Sequence, residues 1–387
     1  MAHVVFAGLG FGGLYTLRHL LSDLPPGTHI TAIDHRDHFV FTPLLYEYLT
    51  GELEGDVVAP PYEAILPLDL IDLIEGEILD IDLDGKTVGL EGGDRITYDI
   101  LVLAPGSVPA YHSVPGADTY GIPFYSFADA DRLVTTLRIE EWAGGSRPIC
   151  VVGGGVVGIE LSFALTEFLR REGHAPEATP VIVLEAMDGI LREHSPGLRR
   201  MAHRKLEEAG IEVRTSIRVL EVDEDGVVFS DGGVTRLDAV AVAWAAGIRP
   251  SPLLDALSVE RHDRHGIGVE QTLQLPSHPS VLVLGDAISY PGRTATDPIP
   301  DTAQAAYQQA EVAARNLRSL LKGELPRTPY HYAHLGDFLR ISRRAAIADI
   351  RGVVFDGGAA SVARRAAYLF RMPDWAIRTS AIRQWLT

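Results

Sequence analysis

The sequence predicts an α/β protein built from two dinucleotide-binding units and a small C-terminal segment. Three observations lead there. A unit of strand, glycine-rich turn, helix and strand at residues 3–34 returns at 149–185, about 145 residues later. In both copies the second strand ends in an acid, Asp34 and then Glu185. Short apolar runs alternate with amphipathic stretches along the chain, the pattern of a sheet covered by helices.

The elements follow in order. His3–Ala7, His29–Asp34 and Asp99–Ala104 read as buried strands, each bounded by Gly, Pro or acidic residues. A second set comprises Pro148–Val152, Pro180–Glu185, Ile211–Thr215 and Ala239–Trp244, and Val281–Gly285 is a later return. Apolar spacing near 3.6 places helices at Phe11–Leu21, Val156–Arg171, Pro196–Glu208 and Thr302–Leu321. Asp301 or Thr302 caps the last of these. The turns Asp84-Gly85 and Asp225-Gly226 mark hairpins near Glu75–Asp82 and Glu221–Ser230. Tyr111–Pro123 and Ala245–Pro252 read as the two crossings between domains, giving 1–112 with 251–325, then 113–250, then 326–387.

Composition removes several functions. Of 387 residues one is cysteine, Cys150, which leaves no dithiol pair, disulfide framework or cysteine-only metal site. The pairs His35/His38, His262/His265 and His331/His334 lack converging carboxylate or thiolate partners, so no metal is expected. The net charge of −18 is uneven: residues 340–387 hold nine arginines and three aspartates, net +6, leaving −24 for residues 1–339. An acidic body argues against nucleic acid as a partner. No apolar stretch approaches the roughly 18–20 residues of a membrane span. The N-terminus enters a strand at once, without a signal-peptide pattern, so a cytoplasmic chain is expected.

The glycine motifs carry the chemistry. Gly8-Leu9-Gly10-Phe11-Gly12-Gly13 follows a strand and opens a helix. Gly8 permits the tight turn, Gly10 lets a pyrophosphate approach the backbone, and Gly13 lets helix and strand pack closely. Asp34, 21 residues after Gly13, is placed to accept the ribose hydroxyls of an adenosine. The second motif is Gly153-Gly154-Gly155-Val156-Val157-Gly158, paired with Glu185, whose charge favours NADH over a 2′-phosphate. One chain with two dinucleotide sites is suited to hydride transfer between them, and FAD with NADH is the usual pair. Asp286, after the strand ending at Gly285, suits a flavin ribityl chain, and the N-terminus of helix Thr302–Leu321, near the flavin pyrimidine edge, would stabilise the anionic reduced flavin. Gln304 and Gln308 share a face of that helix.

These residues, with Phe41-Thr42-Pro43-Leu44-Leu45-Tyr46, Tyr98–Gly106 and Trp244–Pro250, resemble the type II NADH:quinone oxidoreductases over nearly the whole chain. These are single-subunit, non-pumping flavoproteins of the two-dinucleotide-domain superfamily. The run Ala303–Gln308 is similar to their quinone-site pattern A-Q-x-A-x-Q, and Phe41–Leu53 is similar to the cyanobacterial and plastid branch that reduces naphthoquinones. The resemblance implies a glutathione-reductase-like fold with two Rossmann-like domains. It implies non-covalent FAD on Gly8, Gly10, Gly12, Gly13, Asp34, Thr42, Pro43, Ala104, Gly106, Asp286 and Ala303. It implies NADH on Gly153, Gly155, Val156, Val157, Gly158, Glu185 and Gly247. Glu160 would lie near the nicotinamide and quinone region and assist proton delivery, with Gln304 and Gln308 contacting the quinone, of menaquinone, phylloquinone or ubiquinone type.

Two departures bear on this. Ser342 stands where a glycine is common, which leaves Arg343 and Arg344 without an assigned proton-relay role, and many relatives continue with a further amphipathic helix. Ala359–Phe370 and Trp375–Leu386 still mix arginine, tryptophan and aliphatic residues as an interfacial helix would, predicting peripheral attachment to the inner face of the membrane. A homodimer is among the assemblies implied. Two rival readings stand beside this one: a soluble reductase of a small electron-carrier protein, and a low-turnover NADH-binding redox sensor.

Overall fold

A computed structural model describes residues 2–139, 147–174, 179–261, 266–289 and 299–386. Its chain divides into two compact units. The first comprises Met1–Phe39, Pro60–Val108 and Ile248–His334, and the second Val40–Ala59, Pro109–Gly247 and Leu335–Thr387.

The first unit is organised by a six-stranded sheet in the spatial order Gln274–Leu275, His278–Val283, Ile100–Leu103, Ala2–Ala7, Thr28–Asp34, Asp72–Glu75. Only the outermost pair, Gln274–Leu275 with His278–Val283, is antiparallel. The central strand carries Val4, Val5, Phe6 and Ala7, all fully buried, because a parallel strand covered on both faces has no wet side. Helices Phe11–Leu21 and Ala303–Leu321 pack on each other. The second presents Ala306, Ala310, Ala313 and Ala314 as buried small residues, which permits close approach. A separate antiparallel sheet, Ile78–Asp82, Thr87–Leu90 and Arg95–Thr97, contains the hairpin expected at Asp84-Gly85.

The second unit repeats the plan with five parallel strands in the order Glu212–Arg214, Val181–Leu184, Ile149–Val152, Ala241–Trp244, Ile122–Pro123. Helix Val156–Arg171 follows the central strand, and an antiparallel trio, Arg218–Asp223, Gly226–Ser230 and Val234–Asp238, adds Val227 and Phe229 to a core shared with Cys150, Ile182 and Trp244. The α/β class with two Rossmann-like units is therefore the observed one.

The division of the chain differs from the expected boundaries in three ways. Residues 40–59 pack in the second unit, although they interrupt the first in sequence. The stretch read as a linker, Tyr111–Pro123, ends in the edge strand Ile122–Pro123. Residues 335–387 are not a separate segment but part of the second unit. They form an antiparallel sheet of Asp337–Ser342, Ala345–Ile350 and Val353–Gly357, followed by helices Gly358–Arg371 and Trp375–Leu386. Ala346, Ala348 and Ala360 make the contact between that sheet and the first of these helices.

Candidate functional site

Each unit contains one glycine turn, and the two agree atom by atom. In the first, Gly8 has φ of +98°, and a Cβ there would stand 2.2 Å from the Ala104 carbonyl oxygen. A Cβ on Gly13 would fall 1.9 Å from the Gly8 oxygen. Gly10, the residue that caps the helix, has nothing within 4 Å of its would-be Cβ. In the second, Gly153 has φ of +114° against Ala245, Gly158 meets the Gly153 oxygen at 2.0 Å, and Gly155 is open. No side chain caps either helix. Tight packing at Gly8, Gly13, Gly153 and Gly158, with room at Gly10 and Gly155, suits a dinucleotide pyrophosphate at the positive end of each helix.

The acids are fixed by the turns they serve. Leu9 N–H donates to Asp34 Oδ2 at 2.7 Å, and Gly154 N–H donates to Glu185 Oε2 at 2.5 Å. The other oxygens accept from Arg36 N–H at 3.1 Å and from Met187 N–H at 2.7 Å respectively. A carboxylate has about four acceptor positions, so Glu185 keeps capacity for ribose hydroxyls, while Asp34 also accepts from Arg36 Nε at 3.3 Å. Val156 and Val157 open the second helix, and Val157 is exposed beside the open Gly155.

The first unit also assembles Ala104, Gly106, Asp286 and the helix beginning at Ala303. Ala104 N–H donates to the Ala7 carbonyl, and Gly106 has φ of +68°. Ser107 donates its hydroxyl to Asp286 Oδ2 at 2.6 Å, while burial pushes the Asp286 carboxyl above its usual range. Thr302 caps the helix by accepting from Ala305 N–H at 3.2 Å. Gln309, which the sequence reading passed over, is buried and accepts Gly285 N–H at 2.6 Å, fastening the Gly285-Asp286 turn to this helix. The donor and acceptor set fits a flavin dinucleotide.

Gln304 and Gln308 lie one turn apart as expected, and both amides have internal partners. Gln304 Oε1 accepts from the Tyr332 hydroxyl at 3.1 Å. Gln308 holds the Ala333 backbone at two points, accepting its N–H at 2.9 Å and donating to its carbonyl at 2.8 Å.

Glu160 belongs to the second unit and lies in a buried charge network. It is 5 % exposed, on the second turn of helix Val156–Arg171. Its Oε1 accepts the Arg340 backbone N–H at 2.6 Å and lies 4.0 Å from Arg364 Nε, and Tyr46 donates its hydroxyl to the same carboxyl. Arg364 is ion-paired with Glu47, donates to the Pro43 carbonyl at 2.9 Å, and stacks 4.7 Å from the Tyr368 ring centroid. Arg340 is ion-paired with Glu52 and, at 2.7 Å, with Glu167. Arg365 reaches the second oxygen of Glu52 at 2.8 Å. Three buried glutamates, Glu47, Glu52 and Glu160, thus face two buried guanidinium groups. The surplus acid is the one with the weakest ion pair: burial pushes Glu160 up to about 7, with Arg364 only partly opposing it.

The sign of the resulting pH effect is set by that rise. Between pH 4.5, the ordinary value, and about 7, the folded chain holds a proton on Glu160 that the unfolded chain releases. The contribution is present in full below the lower value and is lost as pH rises through the upper one. Equilibrium urea unfolding should therefore show the wild type losing stability relative to Glu160→Gln across that window, by at most about 1.4 kcal/mol per pH unit. Parallel pH profiles for the two proteins would contradict the buried, proton-holding carboxyl.

The sequence profile of the pyridine nucleotide-disulphide oxidoreductases matches residues 2–310. The chain is 32% identical to demethylphylloquinone reductase NdbB of Synechocystis over 99% of its own length and 95% of the relative's. It is 30% identical to the type II NADH:quinone oxidoreductase NdhA of Mycobacterium tuberculosis, over 99% and 86%. The chain belongs to the pyridine nucleotide-disulphide oxidoreductases, among the type II NADH:quinone oxidoreductases. Its fold matches the structure of NDH2 from Plasmodium falciparum in complex with NADH, with a TM-score of 0.87 over 100% of this chain and 97% of that one, at 16% identity.

Within this oxidoreductase the expected residues divide between the units. Gly8, Gly10, Gly12, Gly13, Asp34, Ala104, Gly106, Asp286, Ala303, Gln304 and Gln308 are in the first; Thr42, Pro43, Gly153, Gly155, Val156, Val157, Gly158, Glu160, Glu185 and Gly247 are in the second. Thr42 and Pro43 form a 3-10 turn, Thr42–Leu44, whose Pro43 carbonyl is taken by Arg364. Gly247 has φ of +108° and its carbonyl accepts Ala110 N–H at 3.0 Å. The cations around Glu160 are Arg340 and Arg364. Cys150 is buried in its strand, and burial pushes its thiol up to about 12, out of reach of thiolate chemistry at neutral pH. No group of three or more His, Cys, Asp or Glu is arranged to hold a metal among the described residues, and His262 and His265 lie outside them.

Proposed function

We propose that the protein oxidises NADH and passes two electrons through FAD to a membrane quinone, without moving protons across the membrane. The observation that carries this reading is the doubled glycine turn with its acid, one per unit, each open where a pyrophosphate would lie. When bound, FAD supplies a two-electron carrier between nicotinamide and quinone.

The chain's own residues supply the rest. Gly8, Gly10, Gly12, Gly13 and Asp34 hold the flavin dinucleotide, with Thr42, Pro43, Ala104, Gly106, Asp286 and Ala303 as further contacts. Gly153, Gly155, Val156, Val157, Gly158, Glu185 and Gly247 hold NADH, and the carboxylate of Glu185 disfavours a 2′-phosphate by like charge. Glu160 holds a proton near neutral pH and gives it to the reduced quinone. Gln304 and Gln308 guide the quinone, a naphthoquinone or ubiquinone.

No helix among the described residues is long and apolar enough to cross a membrane. Val362, Phe370, Trp375 and Leu386 on the two C-terminal helices are exposed, with Arg371, Arg378 and Arg383 in the same segment. That supports peripheral attachment, on the cytoplasmic face, to a surface of anionic lipid; a homodimer is carried over from the family resemblance.

The test is an anaerobic mix of purified flavoprotein with NADH and then a quinone analogue, followed by flavin absorbance. Bleaching by NADH and rapid recovery on adding quinone are expected. Bleaching without recovery would remove the quinone and leave a protein acceptor or a sensor.

A further inference from the structure

Arg364 is shared unequally between two buried acids. Its Nη atoms are committed to Glu47 and to the Pro43 carbonyl. Its Nε, buried like the rest of the side chain, has no hydrogen-bond partner among the described residues and stands 4.0 Å from Glu160 Oε1. An unpaired N–H inside a protein is costly, and an N–H on a guanidinium more so. A movement of about 1 Å would bring it to hydrogen-bond distance of Glu160. What resists that movement is the pair with Glu47, itself 1 % exposed and fixed on the short helix Leu45–Leu49.

We propose that Glu47 is a positioning residue that holds Arg364 back from Glu160, keeping Glu160 protonated until its proton is used, after which the free Nε–H of Arg364 closes on the new carboxylate. This rests on the proposed role of Glu160 as donor of one of the two protons that a quinone takes up with two electrons from NADH. The proton leaves Glu160 for the reduced quinone and is restored from solvent, which opens the Arg364 contact again.

The other groups facing Glu160 do not perform this task. From the helix carrying Glu47, Tyr46 donates a hydroxyl, and its own ionisation is pushed far above neutrality by burial. From strand Asp337–Ser342, Arg340 gives a backbone N–H; its Nη2 is engaged by Glu52 and Glu167, and its Nη1, though without a hydrogen-bond partner, belongs to a guanidinium beyond ion-pair distance of Glu160. From helix Gly358–Arg371, Tyr368 is buried against Arg364 and stays neutral, pushed up to about 12. On its own helix the next acid, Glu167, belongs to Arg340. Among the described residues Arg364 is the one whose guanidinium, at 4.0 Å, stands within ion-pair distance of Glu160.

The experiment follows the infrared carboxyl band of Glu160, identified by its absence in Glu160→Gln, as the purified FAD-loaded protein is titrated without quinone. Glu47→Gln should lower the midpoint, weakening proton affinity by roughly tenfold or more. Glu47→Asp separates position from charge: it keeps the negative charge but shortens the arm that restrains Arg364. A lowered midpoint in Glu47→Asp supports positioning; a midpoint unchanged from wild type there, in protein that retains flavin and native near-ultraviolet dichroism, overturns it. Should Glu47→Gln fail to fold, Glu47→Asp alone decides. The underlying reading is tested separately by the pH profile of quinone reduction. If that profile ignores a midpoint that has moved, Glu160 is not the donor, while the restraint by Glu47 stands.

Discussion

Gly13→Val should yield a chain that no longer retains flavin, whereas Gly158→Val should yield a yellow protein that NADH cannot bleach. Both follow from the same contact. A Cβ at Gly13 would stand 1.9 Å from the Gly8 carbonyl oxygen, and one at Gly158 would stand 2.0 Å from that of Gly153. The obstacle in each case is backbone within the same turn, so neither side-chain rotation nor a small shift relieves it. The helix must move off its strand, at a cost of about 3 kcal/mol or more, and the first-turn N–H groups then no longer point at a phosphate.

Gly10 and Gly155 provide the contrast. Neither has an atom within 4 Å of its would-be Cβ, so Gly155→Val should fold with nearly unchanged thermal stability. Its side chain would occupy the space assigned to the pyrophosphate, and the Michaelis constant for NADH should rise steeply with flavin content unaffected. Flavin absorbance per mole of chain, thermal melting and NADH titration separate the three variants. A bleachable Gly158→Val protein would show that the second turn is a structural duplicate without a ligand.

Local signals accounted for most of the fold and for the placement of both glycine turns. Helices Phe11–Leu21 and Val156–Arg171 begin and end where the 3.6-residue apolar spacing and the glycine turns place them, because both signals lie inside the element. The acids Asp34 and Glu185 were legible for the same reason: strand, turn and acid form one continuous unit. The C-terminal sheet was not legible. Its strands are short, one of them, Ala345–Ile350, is half alanine, and they become strands by pairing with one another and packing under Gly358–Arg371. Nor was the destination of residues 40–59, since nothing in FTPLLYEYLTGEL says that its acids will meet arginines some 300 residues later. Gln309 was missed because Gln308 fitted a family pattern, while the buried member of the pair is set by which face of the helix meets Gly285.

Those long-range arginines give the other large expected effect. Arg364→Met should destabilise the protein by about 3–5 kcal/mol, because it leaves Glu47, at 1 % exposure, without its ion-pair partner. Arg365→Met, at a site where the guanidinium is partly exposed and Glu52 keeps Arg340, should cost far less. The loss in Arg364→Met should also grow as pH rises above 7, since without Arg364 the folded chain keeps the Glu160 proton to higher pH than the wild type does, while the unfolded chain has released it. Taking Arg364→Met together with Glu47→Leu should recover much of the stability, for a buried ion pair exchanged whole for apolar groups avoids the orphaned charge. That recovered protein should nonetheless have lost the restrained guanidinium, and its quinone reduction should lose the pH dependence that Glu160 confers. Urea unfolding at pH 6 and pH 8 on the two single variants and the double variant separates the roles. Recovery of stability without recovery of the pH profile would mean that the ion pair is kept for the proton on Glu160 and not for the fold. Equal recovery of both would make Glu47 and Arg364 a structural clasp for residues 40–59 and the C-terminal helix.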